Sequence, residues 1–128
     1  MPRCPLEPGF ASGGATAVEF ALILPVALLC ILGLIEFSRA IWTQTTLDYA
    51  VQTAARCAAV NPGICGTATQ IQQNAVDNAP GLALPTSTFS TSAQPCGAQV
   101  TASLQFDFLV RALLPYSQTL RASACFPL

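Results

Sequence analysis

From Phe20 to Ile35 the chain reads FALILPVALLCILGLI, sixteen residues without a charge. As a helix rising 1.5 Å per residue this run spans about 24 Å, and a bilayer core is about 30 Å thick. Counting on to Trp42 gives 23 residues, which is long enough, and takes in Glu36 and Arg39. These two stand at i and i+3, so they are a candidate intrahelical ion pair on one helix face. Trp42 suits the water interface beyond them. The competing reading is a buried core helix, but the rest of the chain is too small to wrap one of this length.

Helical spacing continues past the apolar run. Leu47, Ala50, Val51, Ala54, Ala55 and Ala58 keep the i, i+3, i+4, i+7, i+8, i+11 rhythm of a single stripe, with Asp48, Gln52 and Arg56 opposite. Asn61-Pro62-Gly63 ends it, because a residue before proline is pushed out of the α region. One helix is therefore expected from about Thr16 to Val60, roughly 65 Å long. Pro25 lies inside it and predicts a kink or a local loss of hydrogen bonding, which a membrane helix tolerates. A second, short helix is expected over Ala68–Ala79. The capping-box pattern Thr67-x-x-Gln70 opens it and Pro80-Gly81 closes it.

Leu82 to Gly97 is rich in Pro, Ser and Thr and reads as loop, with room for a short strand near Phe89. From Gln99 the period becomes two. Val100, Ala102, Leu104, Phe106 and Phe108 alternate with polar neighbours, and Leu120, Ala122, Ala124 and Phe126 do the same. A connection containing Pro115 joins them. The expected class is α+β: a long N-terminal helix, half membrane-spanning and half amphipathic, then a short helix. A C-terminal antiparallel β-hairpin or small sheet packs on the long helix. The expected divisions are a leader over 1–14, a transmembrane helix over 15–42 and a small extracytoplasmic domain over 43–128. No internal repeat is visible.

Composition narrows the function classes. Of the 128 residues only 9% are charged, where soluble domains have about 25%. Mean hydropathy is +0.54. The net charge of −1 and the absence of lysine leave little to grip a phosphate backbone, so no nucleic-acid partner is expected. Histidine is absent and the six carboxylates are scattered, so neither a general base nor a catalytic constellation is visible. The sequence reads as non-enzymatic, with no cofactor.

Chemistry concentrates at the start of the apolar run. Residues 1–14, MPRCPLEPGFASGG, lack periodicity, and Glu19-Phe20 follows Gly14 after four residues. This Gly-x4-Glu-Phe pattern on the lip of a membrane helix resembles the processing site of the Flp-type prepilins. The resemblance implies cleavage by a prepilin peptidase between Gly14 and Ala15, with Glu19 and Phe20 as the processing and assembly motif. The segment EFSRAIWTQTTLDYAVQTAARCAA is similar to the stretch after the membrane helix in TadE-like proteins, the pseudopilins of tight-adherence (Tad) systems. VTASLQFDFLVRALLPYSQTLRASACF resembles their C-terminal strands with a Leu-Pro link. Major Flp pilins share the Glu-Phe site but are little more than the helix.

What the resemblance implies is a minor pseudopilin acting in assembly of a Tad/Flp pilus for adhesion and biofilm formation. Its partners would be the prepilin peptidase, other pilin and pseudopilin subunits, and the assembly platform of the inner membrane. The protein would sit in a bacterial inner membrane as a single-pass chain with its C-terminal domain extracytoplasmic, and entry into a surface pilus stays open. In related pilins the glutamate pairs with the new amine of a neighbouring subunit. The plainer reading sets Glu19 among lipid headgroups. Arg3 is offset by Glu7, while Arg39 and Arg56 follow the run, so the N-in orientation rests on the cleavage site and the cysteines rather than on charge.

Cys57, Cys65, Cys96 and Cys125 follow the run, which points to an oxidising compartment for that part. Three pairings exist. Cys57–Cys65, stapling the turn between the helices, and Cys96–Cys125, tying the hairpin, form the favoured one. Strand parity speaks mildly against the second bridge, since Cys125 has polar and Cys96 apolar parity. Without histidine or CxxC spacing a zinc site is disfavoured, and no metal is expected. Cys4 lies in the leader, and Cys30 reads as a small hydrophobe facing lipid or helix.

Two alternatives remain. One is a minor pseudopilin of another type IV pilus or a type II secretion system; those usually carry an aromatic directly after the cleaved glycine, where this chain has Ala15. The other is a bitopic membrane protein with a small extracytoplasmic binding module, in which the Gly14–Ala15 bond stays intact.

Overall fold

The computed structural model describes residues 13–109 and 116–127. The chain is α+β, in the order α1 (Gly13–Val60), α2 (Ala68–Asp77), β1 (Phe89–Gln94), β2 (Gly97–Asp107) and β3 (Ser117–Phe126). It divides into two compact units, Met1–Ile35 and Glu36–Leu128. The leader reading falls almost wholly on residues 1–12, outside the described residues, as do Cys4 and the Leu-Pro link before β3.

In the first unit α1 starts at Gly13, three residues earlier than expected, and continues unbroken through Pro25. Proline has no N–H to donate to Ala21, so one rung of the helical ladder is missing there. Every side chain described from Gly14 to Ile35 is exposed. Within this stretch the helix is long and apolar enough to cross a membrane.

In the second unit the stripe read from the sequence is the core. Leu47, Ala50, Val51, Ala54 and Ala55 of α1 are buried against Ala75 and Ala79, Phe89, Val100, Ala102 and Ala122. The alanines let helix and sheet approach closely, while Phe89, Leu47, Val51 and Val100 are the largest side chains sealed inside with Cys65. Asn61 ends α1, its N–H donating to Cys57 O at 2.8 Å. The capping box forms: Gln70 N–H donates to Thr67 Oγ1 at 3.3 Å and Thr67 N–H to Gln70 Oε1 at 3.1 Å. The helix closes at Asp77 rather than Ala79, with Asn78 as its C-cap.

The sheet is antiparallel in the order β1-β2-β3, which puts β1 and β3 at its edges. Most of the expected loop over Leu82–Gly97 is loop, but Phe89–Gln94 pairs with β2 along its whole length. Phe89 is the only fully buried side chain of that strand. Backbone pairing at a sheet edge needs no apolar alternation, so the periodic signal was faint. Each edge also receives a glutamine from a helix. Gln72 Nε2 donates to Phe89 O at 2.8 Å, and Gln44 Nε2 to Arg121 O at 2.9 Å.

β1 and β2 turn through Pro95-Cys96 alone, since Gln94 pairs with Gly97. Gly97 has φ +119°, and a Cβ there would collide with the carbonyl of Phe126. Only glycine meets both conditions.

Candidate functional site

Two places on α1 hold the residues singled out from the sequence. The first is the N-terminal end. Gly14 and Ala15 lie in the first turn of the helix, so the bond between them is helical in this structure. A Cβ built on Gly14 meets nothing within 4 Å. The fold therefore sets no packing demand for glycine at this position. Glu19 and Phe20 follow on the exposed surface of the same helix. Among the described residues, no hydrogen bond or ion pair engages the carboxylate of Glu19.

The second place begins where the apolar run ends. Arg39 Nη1 donates to Glu36 Oε2 at 2.9 Å, across the i, i+3 spacing. Glu36 Oε1 accepts the backbone N–H of Leu109, also at 2.9 Å. The guanidinium of Arg39 lies over the ring of Phe106, 5.4 Å from its centroid, within cation–π range. Glu36 is buried, with 7% relative exposure, while the Arg39 side chain is 42% exposed. Both carboxylate oxygens are thus satisfied, as burial of a charge requires. Just above, Thr43 donates to Arg39 O at 2.9 Å and Thr46 to Trp42 O at 2.8 Å. Their buried hydroxyls are paired inside the helix itself.

The i, i+3 ion pair was legible in the sequence; its second partner was not. A carboxylate with one oxygen in an ion pair has acceptor capacity left over, which is a signal that something else binds. It does not say what, because a backbone N–H such as that of Leu109 looks alike at every residue. Phe106 was legible as a core position of β2 but not as a seat for Arg39.

The structure joins Cys57 to Cys65 and Cys96 to Cys125, with Cα–Cα distances of 5.8 and 6.2 Å. The first bridge closes the loop between α1 and α2. The second links the β1–β2 turn to β3, and Cys96 sits in that turn, where strand parity does not apply. With their sulfurs bonded to one another, these four cysteines offer no thiolates to a metal. Cys30 is free and exposed. An open groove of about 400 Å³ lies beside the first bridge, between Ala58, Pro62 and Ile71 and the strand residues Thr91, Gln99 and Val100. Its walls carry no charged side chain.

Residues 14–56 match the family model of the TadE-like proteins. The match opens on Gly14, includes Glu19, Phe20, Glu36 and Arg39, and ends within α1. Over this segment the chain is similar to the TadE-like proteins, the family that its residues resemble. The match leaves α2 and the sheet outside it, so the likeness of the C-terminal strands rests on their sequence alone. No match was found among curated proteins or among solved structures.

Proposed function

We propose that this chain is a TadE-like minor pseudopilin, cut by a prepilin peptidase between Gly14 and Ala15 and acting in assembly of a Tad/Flp pilus for adhesion and biofilm formation. The observation that carries this reading is the family match over residues 14–56, which opens on the glycine of the Gly-x4-Glu-Phe motif. That nothing crowds a Cβ at Gly14 adds to it. A glycine that the fold does not require is available to satisfy an enzyme pocket. Gly13 and Gly14 also weaken the first turn, each by about 1 kcal/mol relative to alanine. The scissile bond can then be drawn out of the helix into a peptidase at little cost.

Cleavage would free an α-amine at Ala15 with an ordinary pKa of about 7.7–8.0. Ala15 and Glu19 are four residues apart, about 6 Å along the axis. A neighbouring subunit displaced by about one helical turn brings its amine level with this carboxylate. In an apolar bundle a wrong register buries the charge unpaired, so the pair selects the right one. The partners are then the peptidase, other pilin and pseudopilin subunits and the inner-membrane assembly platform. The helix over residues 15–42 spans the inner membrane once and the sheet lies on the extracytoplasmic side, where the disulfides are stable.

The test is the Glu19→Ala variant in cells that make the pilus. Pilus assembly should fail while both disulfides still form, showing that the second unit has folded. Normal piliation in that variant would remove the pairing role and the assembly function built on it.

A further inference from the structure

The β2–β3 ladder closes on the pair Asp107↔Ser117, so Leu109 and Tyr116 stand just beyond its end. Glu36 fastens that end to α1 by accepting the N–H of Leu109, 73 positions away in the chain. Arg39 secures it a second time by lying over Phe106 of β2. Glu36 is also the first charged residue after the uncharged run Phe20–Ile35. The end of the sheet is therefore held level with the residue at which the apolar helix gives way to polar chain.

Large apolar side chains are uncovered at that level. Leu109 is 72% exposed, Tyr116 67% and Phe37 64%. Trp42, 60% exposed, follows about 9 Å further along the helix. Leaving a leucine or an aromatic in water forgoes much of the free energy its burial would give. Of the other exposed large apolar residues of this unit, Ile41 adjoins Trp42 on α1, Tyr49, Val60 and Ile64 lie further along α1 and its following loop, and Phe126 ends β3.

We infer that Leu109 and Tyr116, together with Phe37 and Trp42, seat this end of the sheet in the lipid interface, and that the Glu36–Leu109 hydrogen bond sets their depth. The partner is the boundary between headgroups and acyl chains. Leucine inserts below it, while tyrosine and tryptophan keep an apolar ring in lipid and a polar edge in water. The inference rests on the reading of residues 15–42 as a membrane span, and it adds a second, sequence-distant point of contact to that single crossing.

The experiment uses the full chain with Cys4→Ser and Cys30→Ser, reconstituted in vesicles of phosphatidylethanolamine and phosphatidylglycerol. An environment-sensitive fluorophore is attached at Leu109→Cys, at Gln94→Cys or at Leu28→Cys. Gln94 is exposed at the opposite end of the sheet, about 34 Å away along β2. The reporter at 109 should emit to the blue of that at 94, be quenched by headgroup nitroxide lipids and resist iodide. Adding Glu36→Ala should weaken the lipid quenching at 109, and Glu36→Gln, which keeps the acceptor oxygen, should restore most of it. If 109 is as open to iodide as 94 while 28 is lipid-buried, the inference fails and the membrane span stands. If 28 is open to iodide as well, both fall. If Glu36→Ala leaves the quenching at 109 unchanged, Glu36 does not set the depth.

Discussion

One helix behaves in two ways. From Gly14 to Ile35 each described side chain of α1 is exposed, although most are large and apolar. From Leu47 to Ala58 the same helix hides one stripe completely, and that stripe is mostly alanine. Greasiness alone thus does not say where a core is. The first half leaves its large apolar side chains uncovered and must find cover for them in lipid or in other subunits. The second half finds its partner in its own sheet, and small residues suit it because they let strands come close. The switch falls at Glu36, the buried charge that carries α1 from one environment to the other.

The sharpest way to break this contrast is to injure one half and look for damage in the other. Phe89→Ala removes the largest sealed side chain of the second unit. Such a truncation should cost about 3–5 kcal/mol of its stability, read by urea unfolding of the detergent-solubilised protein. Membrane retention of the folded fraction should be unchanged.

Removing the Cys96–Cys125 bridge by paired serine substitution opens a loop with a sequence separation of 29. In the chain-entropy account this loses about 3–4 kcal/mol from the second unit alone, measured by the same unfolding. Leu28→Arg makes the reverse injury. It should disfavour membrane insertion by about 2.5–3.5 kcal/mol, seen as protein released by alkaline carbonate, while the disulfides and the unfolding midpoint of the second unit stay as they were. The smallest effect sharpens the contrast at a single hydrogen bond. Thr67→Ala removes the N-cap acceptor of α2 and should lower stability by about 1 kcal/mol, read as a small shift in the urea midpoint.

How much was legible in the sequence follows the same division. Where side chains repeat with the period of their element, pattern was enough: the α1 stripe, the alternation of β2 and β3 and the stop at Asn61-Pro62. Local rules also held at Thr67 and Gln70, whose capping box needs only neighbours in the chain. β1 was barely visible because Ser90, Ser92 and Gln94 face solvent and only Phe89 is buried. The start of α1 was read too late, since Gly13 and Gly14 are poor helix formers that the helix nevertheless includes. Tertiary hydrogen bonds were the least legible. Gln44, Gln72 and Glu36 reach backbone atoms of Arg121, Phe89 and Leu109, and no periodicity reports a contact between a side chain and a distant peptide group.

At the Gly14–Ala15 bond the situation is reversed. Sequence pattern carries nearly all of the information, and the structure adds that Gly14 is free of packing demands and that its peptide bond lies in a helical turn. The central claim is chemical, a cut at one bond, and one measurement meets it directly. Mass spectrometry of the membrane-extracted protein, made together with its prepilin peptidase, should find a mature chain that begins at Ala15. A chain that keeps Met1, or one cut beyond Ile35 as a secretory signal would be, would contradict the account.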